Sequence, residues 1–259
     1  MIFRKYLIFF IVLLSLAGSK TFSQSDVFED GEELYYEVYY SFINIGWVKF
    51  NTKKLDNDHY LCTAVLRSND ALPFVTVNFE FTSEIQIKDN NIRPLRFESK
   101  EIKQGKTSLI TYHFDYDSSF IDIKKTGFEG LIEYEKRMPI YAVYQDGLSI
   151  FYYARYNYFK DYTKDVPVLF NQDSSSIEIN YNIIKKDIDI GAVDYDISSL
   201  LLQGSTNYQL VFGLTGEFSG WFTSDATRIP VKAKFKVKIG NVTLELKSWQ
   251  RRNWVPPKY

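Results

Sequence analysis

The residues best suited to bind a ligand through charge lie in one loop near the C-terminal end of the sequence. Asp225 and Arg228 follow Trp221 and precede a strand rich in lysine. Because arginine binds a carboxylate or phosphate through two parallel donors, this pair could clamp an anionic or sugar ligand. The alternative, which is the more common use of such residues, is that Asp225 bonds its own loop backbone and Arg228 fixes the turn before Pro230.

A second pair of candidates lies on the one stretch with helical spacing, near residues 146–159. Its apolar positions recur at intervals of three and four residues, at Leu148, Phe151, Tyr152 and Phe159. Asp146 is the predicted N-cap. Arg155 shares the apolar face, so we expect it to be partly buried and to need a partner. We favour an internal carboxylate over a bound anion, since buried charges are usually paired within the protein. Tyr152 combines an apolar ring with a polar tip and is a candidate to contact a lipid or a sugar.

The other chemistry-bearing residues do not form a catalytic set. His59 and His113 are the only two histidines, and the sequence contains no H-E-x-x-H, no G-x-S-x-G and no Ser-His-Asp order. The single cysteine, Cys62, alternates with Tyr60 and Ala64 on an apolar face, which favours a small buried side chain over a nucleophile. We therefore expect no catalytic activity, no metal and no cofactor.

The clearest structural pattern is a hairpin near the C-terminal end of the chain. Apolar residues alternate with lysines, with Val231, Ala233, Phe235, Val237 and Ile239 on one face and Lys232, Lys234, Lys236 and Lys238 on the other. Gly240-Asn241 is typical of a two-residue turn. Such a turn predicts Ile239 opposite Val242 and Phe235 opposite Leu246. It also predicts Lys236 opposite Glu245, on a face that is either solvated or used for docking.

Turn signals and alternating stretches recur from residue 33 onward, as in an antiparallel meander. The last strand predicted before the helix is 120–125, and strands resume at 168–170, 177–184, 193–202, 209–214 and 217–222. A sheet this long must curl or stack. The sequence therefore predicts one mainly β domain over residues 25–259. We expect a large curved antiparallel sheet, open barrel or sandwich-like, with one central helix near 146–159 that leaves a groove or cavity beside it.

The N-terminus has the features of a secretory signal peptide over residues 1–24. Arg4 and Lys5 precede an apolar run, 6–17, that is too short to span a bilayer, and small residues suit cleavage near Ser23 or Gln24. An uncleaved anchor is the alternative. No cysteine follows the run, so we expect no lipoprotein anchor. Cleavage would lower the formal net charge of −1 by three, which disfavours nucleic-acid partners. The mature chain is expected to be periplasmic, without a transmembrane helix.

Three segments resemble a bacterial exported family known as domain of unknown function 3108. They are GEELYYEVYY from Gly31 with Ile43 and Gly46, DGLS from Asp146 through Arg155, and WFTSDATRIPV from Trp221 through Gly240. Relatives often carry two successive arginines before the proline of the third segment, and Thr227 replaces the first of them here. The resemblance implies an envelope protein and supplies no catalytic residues.

The sequence leaves three functional hypotheses open. The first is binding of an apolar or amphipathic ligand, a lipid or glycan, on a curved sheet, and it is motivated by export, aromatic strands and one helix. The second is a structural or assembly factor that docks on another envelope protein. The third is an outer-membrane β-barrel, which the helix and Pro256-Pro257 near the end disfavour.

Overall fold

The computed structural model describes residues 24–69, 76–206, 216–237 and 240–259. They contain a short 3-10 turn (Gln24–Val27), fourteen strands and one α-helix, α1 (Ser149–Tyr156). The strands are β1 (Glu32–Tyr40), β2 (Ile43–Lys54), β3 (His59–Ser68), β4 (Asn78–Lys88), β5 (Asn91–Lys103), β6 (Lys106–Asp115), β7 (Phe120–Thr126), β8 (Ile132–Pro139), β9 (Tyr162–Phe170), β10 (Asp173–Ile188), β11 (Ile197–Thr206), β12 (Gly216–Thr223), β13 (Pro230–Lys236) and β14 (Asn241–Gln250). Residues 1–23 of the predicted signal peptide, the predicted strand 209–214 and Ile239 lie outside the described residues.

All fourteen described strands belong to one antiparallel sheet. Its order is β8-β7-β6-β5-β4-β3-β2-β1-β14-β13-β12-β11-β10-β9. Strands that pair in the sheet are therefore consecutive in the sequence, and the β1–β14 pair is the exception among the described strands. The two edges, β8 and β9, do not pair with each other. This is the open, curved sheet with one helix that the alternating pattern predicts, and the fold-class prediction is confirmed.

The chain that leaves β8 crosses the seam between the two edge strands. Gln145 forms a parallel bridge with Val168. Its N–H donates to the Pro167 carbonyl at 2.8 Å, and its own carbonyl accepts from Leu169 N–H at 2.9 Å. Lys136 of β8 also donates to the Gln172 carbonyl beyond β9 at 2.9 Å. The sheet is therefore curled far enough for one segment to touch both edges and then enter α1 on the concave side.

Period-two alternation explains which face of the sheet is buried. Along β1, Leu34, Tyr36 and Val38 are buried and alternate with more exposed residues. Antiparallel pairing places Leu34 opposite Phe50 of β2, so the apolar faces of neighbouring strands coincide. Cys62 is completely buried on this inner face, as predicted, and burial raises the pKa of its thiol.

The predicted helix is present, but it is shorter than its apolar pattern. It runs over Ser149–Tyr156, and the residue at its N-cap position is Leu148, two residues after the predicted Asp146, although Leu148 makes no side-chain capping bond. The side-chain capping contacts come from Asp146, as predicted, and its N–H donates to Ser149 Oγ at 2.8 Å. Asp146 Oδ1 accepts from the N–H groups of Leu148 and Ser149, both at 2.8 Å. The carboxylate thus satisfies helix donors from outside the cap position.

The strand predictions fail where strands are exposed. β8 has no predicted counterpart, because this edge strand is largely exposed and shows no buried alternation. Similarly, β9 begins at Tyr162, well before the predicted start at 168, because its first residues are mostly solvent-exposed and polar. β10 extends beyond 177–184 on both sides, and β11 runs over Ile197–Thr206 where 193–202 was predicted.

The predicted register of the C-terminal hairpin is wrong. Phe235 lies opposite Val242, not Leu246, and Glu245 lies opposite Lys232, not Lys236. The cause is a longer connection, since β13 ends at Lys236 and β14 begins at Asn241. The Val237 N–H closes this loop by donating to the Gly240 carbonyl at 3.3 Å. The assignment of faces survives, because the shift in register is even.

Candidate functional site

Arg155 of α1 is completely buried against the first residue of β1. Its Nη1 donates to Glu32 Oε1 at 2.6 Å and its Nη2 to Glu32 Oε2 at 3.0 Å. Nη2 also donates to the carbonyls of Val27 at 2.9 Å and Thr227 at 3.2 Å. Arg251 reaches the same Glu32 carboxylate from the C-terminal segment. Burial alone would lower the pKa of Arg155, but the Glu32 charge offsets this and raises it. Arg155 thus has the internal carboxylate partner that we favoured.

Asp225 lies at the centre of the loop between β12 and β13. Its Oδ1 accepts from Thr223 Oγ1 at 2.7 Å and from the hydroxyl and N–H of Thr227 at 2.7 and 3.2 Å. Its Oδ2 accepts from Trp254 Nε1 at 2.7 Å. Thr227 therefore serves to hold Asp225. These contacts match the turn-fixing alternative for Asp225.

Arg228 occupies the same loop with a left-handed backbone, φ 48°. Its Nε donates to the Tyr158 carbonyl at 2.9 Å and its Nη1 to the Thr223 carbonyl at 3.3 Å. Its guanidinium also lies over the Tyr158 ring, 6.0 Å from the centroid. Burial lowers the pKa of Arg228, although the charge of Asp225 acts in the opposite direction. The side chain joins the loop to the chain just beyond α1.

Tyr152 is also enclosed by protein. It is completely buried, its hydroxyl lies 3.0 Å from Thr52 Oγ1, and its ring stacks on Phe28 at 5.5 Å. Burial raises the pKa of Tyr152. The four predicted residues, Asp225, Arg228, Arg155 and Tyr152, are thus placed around α1 and the 223–230 loop. Each has polar partners inside the protein, and together they join the N-terminal segment, the helix and the C-terminal segment.

Asp146 is a second completely buried ionisable group beside α1. It is completely buried before α1, where Ser83 Oγ of β4 donates to its Oδ2 at 2.7 Å. Burial raises the pKa of Asp146 to about 6, although the hydrogen bonds from Ser149, Ser83 and Leu148 oppose the rise. The carboxyl group is internal, it anchors α1, and it keeps its proton to a higher pH than an exposed aspartic acid does.

The inner face of the sheet differs between the strand halves near α1 and those beyond it. Near the helix, Phe50 stacks on Phe151 at 4.4 Å, and Thr52 contacts Tyr152. Further along the same strands the inner face is still apolar, but its side chains are only partly buried. We call this region the helix-distal half, and it consists of Leu66, Phe79, Phe81, Ile110, Phe218, Phe235, Val242 and Leu244.

Register places these residues together on one face. Leu66 lies opposite Phe79, on the face that also carries buried Cys62 and Val48. On the other side of β1, Phe218, Phe235 and Val242 form one cross-strand row. The Phe218 and Phe235 rings stack at 6.1 Å, and those of Phe79 and Phe81 at 5.7 Å. Sequence alternation predicted that this face is apolar, but gave no signal for which part of it the helix covers.

The lysine face of β13 lies on the outside of the sheet. Lys232 pairs with Glu245 at 3.0 Å and donates to the Asp189 carbonyl at 2.9 Å, and Lys236 pairs with Glu217 at 3.2 Å. Lys234 is exposed, and Lys238 lies outside the described residues. Two of these lysines therefore contact neighbouring parts of the same chain, as on an ordinary solvated strand face.

Neither histidine lies in a metal-binding cluster. His59 contacts the exposed Asp56 at 2.7 Å, and His113 lies on β6 opposite Asp122 of β7. In the described ranges, no three His, Cys, Asp or Glu side chains are grouped to hold a metal ion. Over the same ranges, α1 is too short to cross a bilayer, and no other helix is long and apolar enough to do so.

The fold and the internal contacts define a barrel-like antiparallel sheet, left open at one seam and filled in part by a single helix. The family described as protein of unknown function (DUF3108) matches residues 35–247, and the chain belongs to it. This confirms the family resemblance seen in the sequence. No match was found among curated proteins.

Two solved structures resemble the fold. One is the beta-barrel-like protein of domain of unknown function DUF1849 from Brucella abortus, with a TM-score of 0.56 and 6% identity over 88% of this chain and 100% of that one. The other is a protein described as exported, with a YmcC-like fold, from Bacteroides fragilis, with a TM-score of 0.39 and 8% identity over 86% of this chain and 97% of that one. The first likeness supports the barrel-like fold alone.

Proposed function

We propose that the protein binds the apolar chain of an amphipathic ligand in the helix-distal half, without catalysing a reaction. The observation that carries this proposal is a row of inward-facing leucine, phenylalanine and valine side chains that are only partly buried among the described residues. Partly covered apolar surface inside a curved sheet gains free energy when an apolar ligand removes it from water.

The same face also carries polar groups, which favour an amphipathic ligand over a hydrocarbon. Ser99 lies opposite Phe81, and Glu101 lies opposite Phe79, so both share the inner face with the aromatic rings. Both are partly exposed. A ligand with an acyl chain and a hydroxyl-bearing or cationic head can use both kinds of surface, since a few placed polar groups usually fix orientation in an apolar site.

The half of the inner face that contacts α1, which includes Phe50 and Thr52, also supports this proposal. We call it the helix-proximal half, and its contacts hold it in place. The side chains of Glu32, Arg155 and Arg251 are nearly or completely buried, and both arginines bond to the Glu32 carboxylate. A ligand entering there would have to break charged contacts, whereas in the helix-distal half the described residues leave apolar surface that a ligand can cover. We therefore assign no ligand contact to Arg155, Arg228, Asp225 or Tyr152.

Binding of a fluorescent dansyl-labelled fatty acid tests the proposal. Leu66 and Val65 are neighbours on β3, both apolar and partly buried, and they face opposite sides of the sheet. We expect Leu66→Gln to weaken probe binding by about tenfold or more, because a polar group enters the apolar row. Val65→Gln is the matched control and should bind as the wild type does.

Two results would contradict the binding proposal. One is a protein that binds neither the dansyl probe nor phospholipids extracted from the envelope. The other is an equal loss of affinity in the Leu66→Gln and Val65→Gln variants, which would place the probe elsewhere. Binding of soluble envelope glycans with no affinity for acyl chains would replace the ligand class that we propose.

We also propose that the chain is exported to the periplasm after cleavage near Ser23 or Gln24. The support is the basic start, the short apolar run and the small residues before Gln24 in the sequence. N-terminal sequencing of the protein from a periplasmic fraction is expected to begin at residue 24 or 25. A protein that retains Met1 in the membrane fraction would favour the uncleaved anchor.

A further inference from the structure

A groove of about 440 Å³ lies on the outer face of the sheet, beside the turn between β1 and β2. In one row of the strand ladder, Thr243 lies between Tyr39 and Lys234. In the next row, Glu245 lies opposite Lys232, and all five side chains line the groove. Small-molecule sites in proteins have volumes of about 300 to 1,000 Å³, so the space suits a small ligand. We call it the outer groove.

The charged floor of the outer groove is held in place by the connection between β10 and β11. Glu245 Oε2 lies 3.0 Å from Lys232 Nζ, and both side chains are mostly buried, at 17% and 19% exposed. Glu245 Oε1 accepts from the Gly191 N–H at 2.9 Å, and Lys232 donates to the Asp189 carbonyl at 2.9 Å. Groups that are fixed in this way lose little freedom when a ligand binds, so the floor is preorganised.

An aromatic side chain lines the outer groove at each end. Phe42 is 87% exposed at the tip of the turn between β1 and β2. Ser41 precedes it with a left-handed φ of 55°, and its N–H donates to the Asn241 carbonyl at 3.2 Å, so the turn is tied to the start of β14. Trp221 lies on β12 opposite Lys232, and the strands β14 and β13 separate β12 from β1. The polar floor thus lies between two aromatic rings.

Lys234 differs from the lysines before and after it on the same face of β13. Lys232 pairs with Glu245, and Lys236 pairs with Glu217 at 3.2 Å. Lys234 is exposed and pairs with no carboxylate among the described residues. Since Lys232 and Glu245 offset each other, the charged side chains that line the outer groove leave one positive charge, on Lys234.

We propose that the outer groove binds a saccharide that carries one acidic group, a carboxylate or a phosphate. Aromatic rings can cover the apolar C–H faces of a sugar ring, while Thr243 and Glu245 hydrogen-bond its hydroxyl groups. The Lys234 ammonium pairs with the acid. A protein partner is disfavoured, because a stable interface needs about 800 Å² on each side, which is more than a groove of this size offers.

This inference does not depend on the acyl-chain ligand. Val242 and Leu244 belong to the helix-distal half on the inner face, and Thr243 lies between them in β14. Because successive side chains of a strand point to opposite faces, the outer groove and the helix-distal half lie on opposite sides of the sheet. One site can therefore fail its test while the other passes.

Calorimetric titration of the mature protein with matched sugars tests the inference. One pair of probes is the disaccharide of N-acetylglucosamine and N-acetylmuramic acid, which has a carboxylate, and neutral N,N′-diacetylchitobiose. The other pair is N-acetylglucosamine 6-phosphate and neutral N-acetylglucosamine. We expect at least one acidic sugar to bind about fivefold or more tightly than its neutral counterpart. The pair with the larger difference identifies the acid as carboxylate or phosphate.

Two substitutions on β13 separate the proposed cation from its neighbour. Lys234→Gln should remove the preference for the acidic sugar, because it removes the charge that has no partner in the protein. Lys236→Gln is the matched control, since Lys236 is an exposed lysine on the same face that does not line the outer groove. It should keep the preference of the wild type.

A second comparison tests the aromatic end of the outer groove. Phe42→Ser should weaken the binding of acidic and neutral sugars alike by about fivefold. Tyr141→Ser is the control, because Tyr141 is similarly exposed, at 83%, and lies outside the outer groove. Circular dichroism checks that each variant is folded before its affinities are compared.

Three results would overturn the inference. Both acidic sugars could bind no more tightly than their neutral counterparts. Lys236→Gln could reduce the preference as much as Lys234→Gln does. Inorganic phosphate or acetate could compete as well as the acidic sugars, which would show an anion site that does not recognise the sugar.

Discussion

The two halves of the inner sheet face share one sequence pattern and differ in what covers them. Leu34 and Leu66 are both leucines in alternating strands, yet Leu34 is completely buried and Leu66 only partly so. The difference comes from a helix that occupies one half of the concave side. A period-two pattern reports which face of a strand is apolar, and a separate element decides whether that face becomes core or a surface for a ligand.

The helix-proximal half is also distinguished by buried charge. One carboxylate, Glu32, faces two arginines, and a second, Asp146, accepts the helix N–H groups. Such groups are costly to leave without partners, so they fix the position of α1 strongly. The helix-distal half lacks this constraint among its described residues, which suits the ligand binding that we propose for it.

Removing Glu32 should have the largest effect on stability. The Glu32→Ala change leaves Arg155 buried without a carboxylate partner and leaves Arg251 with Glu29 alone, at 3.5 Å. We expect the free energy of unfolding to fall by roughly 3 to 5 kcal/mol. Urea denaturation measures this loss. The neighbouring Glu33→Ala change is the control, since Glu33 pairs with Lys49 at 2.9 Å on the partly exposed outer face, and it should cost less than about 1 kcal/mol. Equal losses would mean that the buried network is not what holds this half.

Asp146 gives the helix-proximal half a pH dependence. Its pKa is about 6 in the folded protein and 3.8 in the reference state, so the folded protein holds its proton more tightly. Its contribution to stability is present below pH 3.8 and is lost as the pH rises through 6. Compared with Asp146→Asn, the wild type should therefore gain about 3 kcal/mol of relative stability as the pH falls across this window. Parallel stability curves for the two proteins would contradict the assignment.

A pair of equal substitutions compares the two halves directly. We expect Leu34→Ala to lower the free energy of unfolding by about 3 kcal/mol, because it leaves a cavity beneath α1. Leu66→Ala should cost only about 1 kcal/mol, since less buried surface is lost. Denaturant titrations of both variants measure the difference. Similar losses at both positions would show that the helix-distal half is packed as well as the core.

The smallest expected effect concerns the loop that carries Asp225. Trp254→Phe removes the indole N–H that donates to Asp225 Oδ2 at 2.7 Å while keeping an aromatic ring. We expect a loss of about 1 kcal/mol in thermal unfolding experiments. No change in stability would show that this hydrogen bond adds nothing to the loop.

Much of the fold was predictable because one face of most strands is buried. Alternation located β1 to β7 and the face of the C-terminal hairpin, and spacing located α1. It could not reveal β8, whose exposed edge leaves no apolar alternation. It also misplaced the hairpin register, since Gly240-Asn241 resembles a tight turn although the connection spans residues 237–240. Turn residues report local backbone preference, whereas register depends on the whole ladder.

The site was harder to predict, because charged residues in a sequence do not show their partners. Asp225 and Arg155 looked suited to ligands, but their partners come from distant positions, Trp254 for one and Glu32 for the other. A bulge in β10, at Ile183 and Ile184, was hidden as well, since both residues fell within a predicted strand. Only the register shift between Asn182 and Lys185 separates them from the ladder.

Photocrosslinking with a diazirine-bearing fatty acid, followed by peptide mapping, tests the central claim most directly. The account predicts adducts on inner-face residues of the helix-distal half, such as Leu66, Phe81 and Leu244, and their loss when an unlabelled fatty acid competes. Adducts confined to α1 or to the outer sheet face would contradict it.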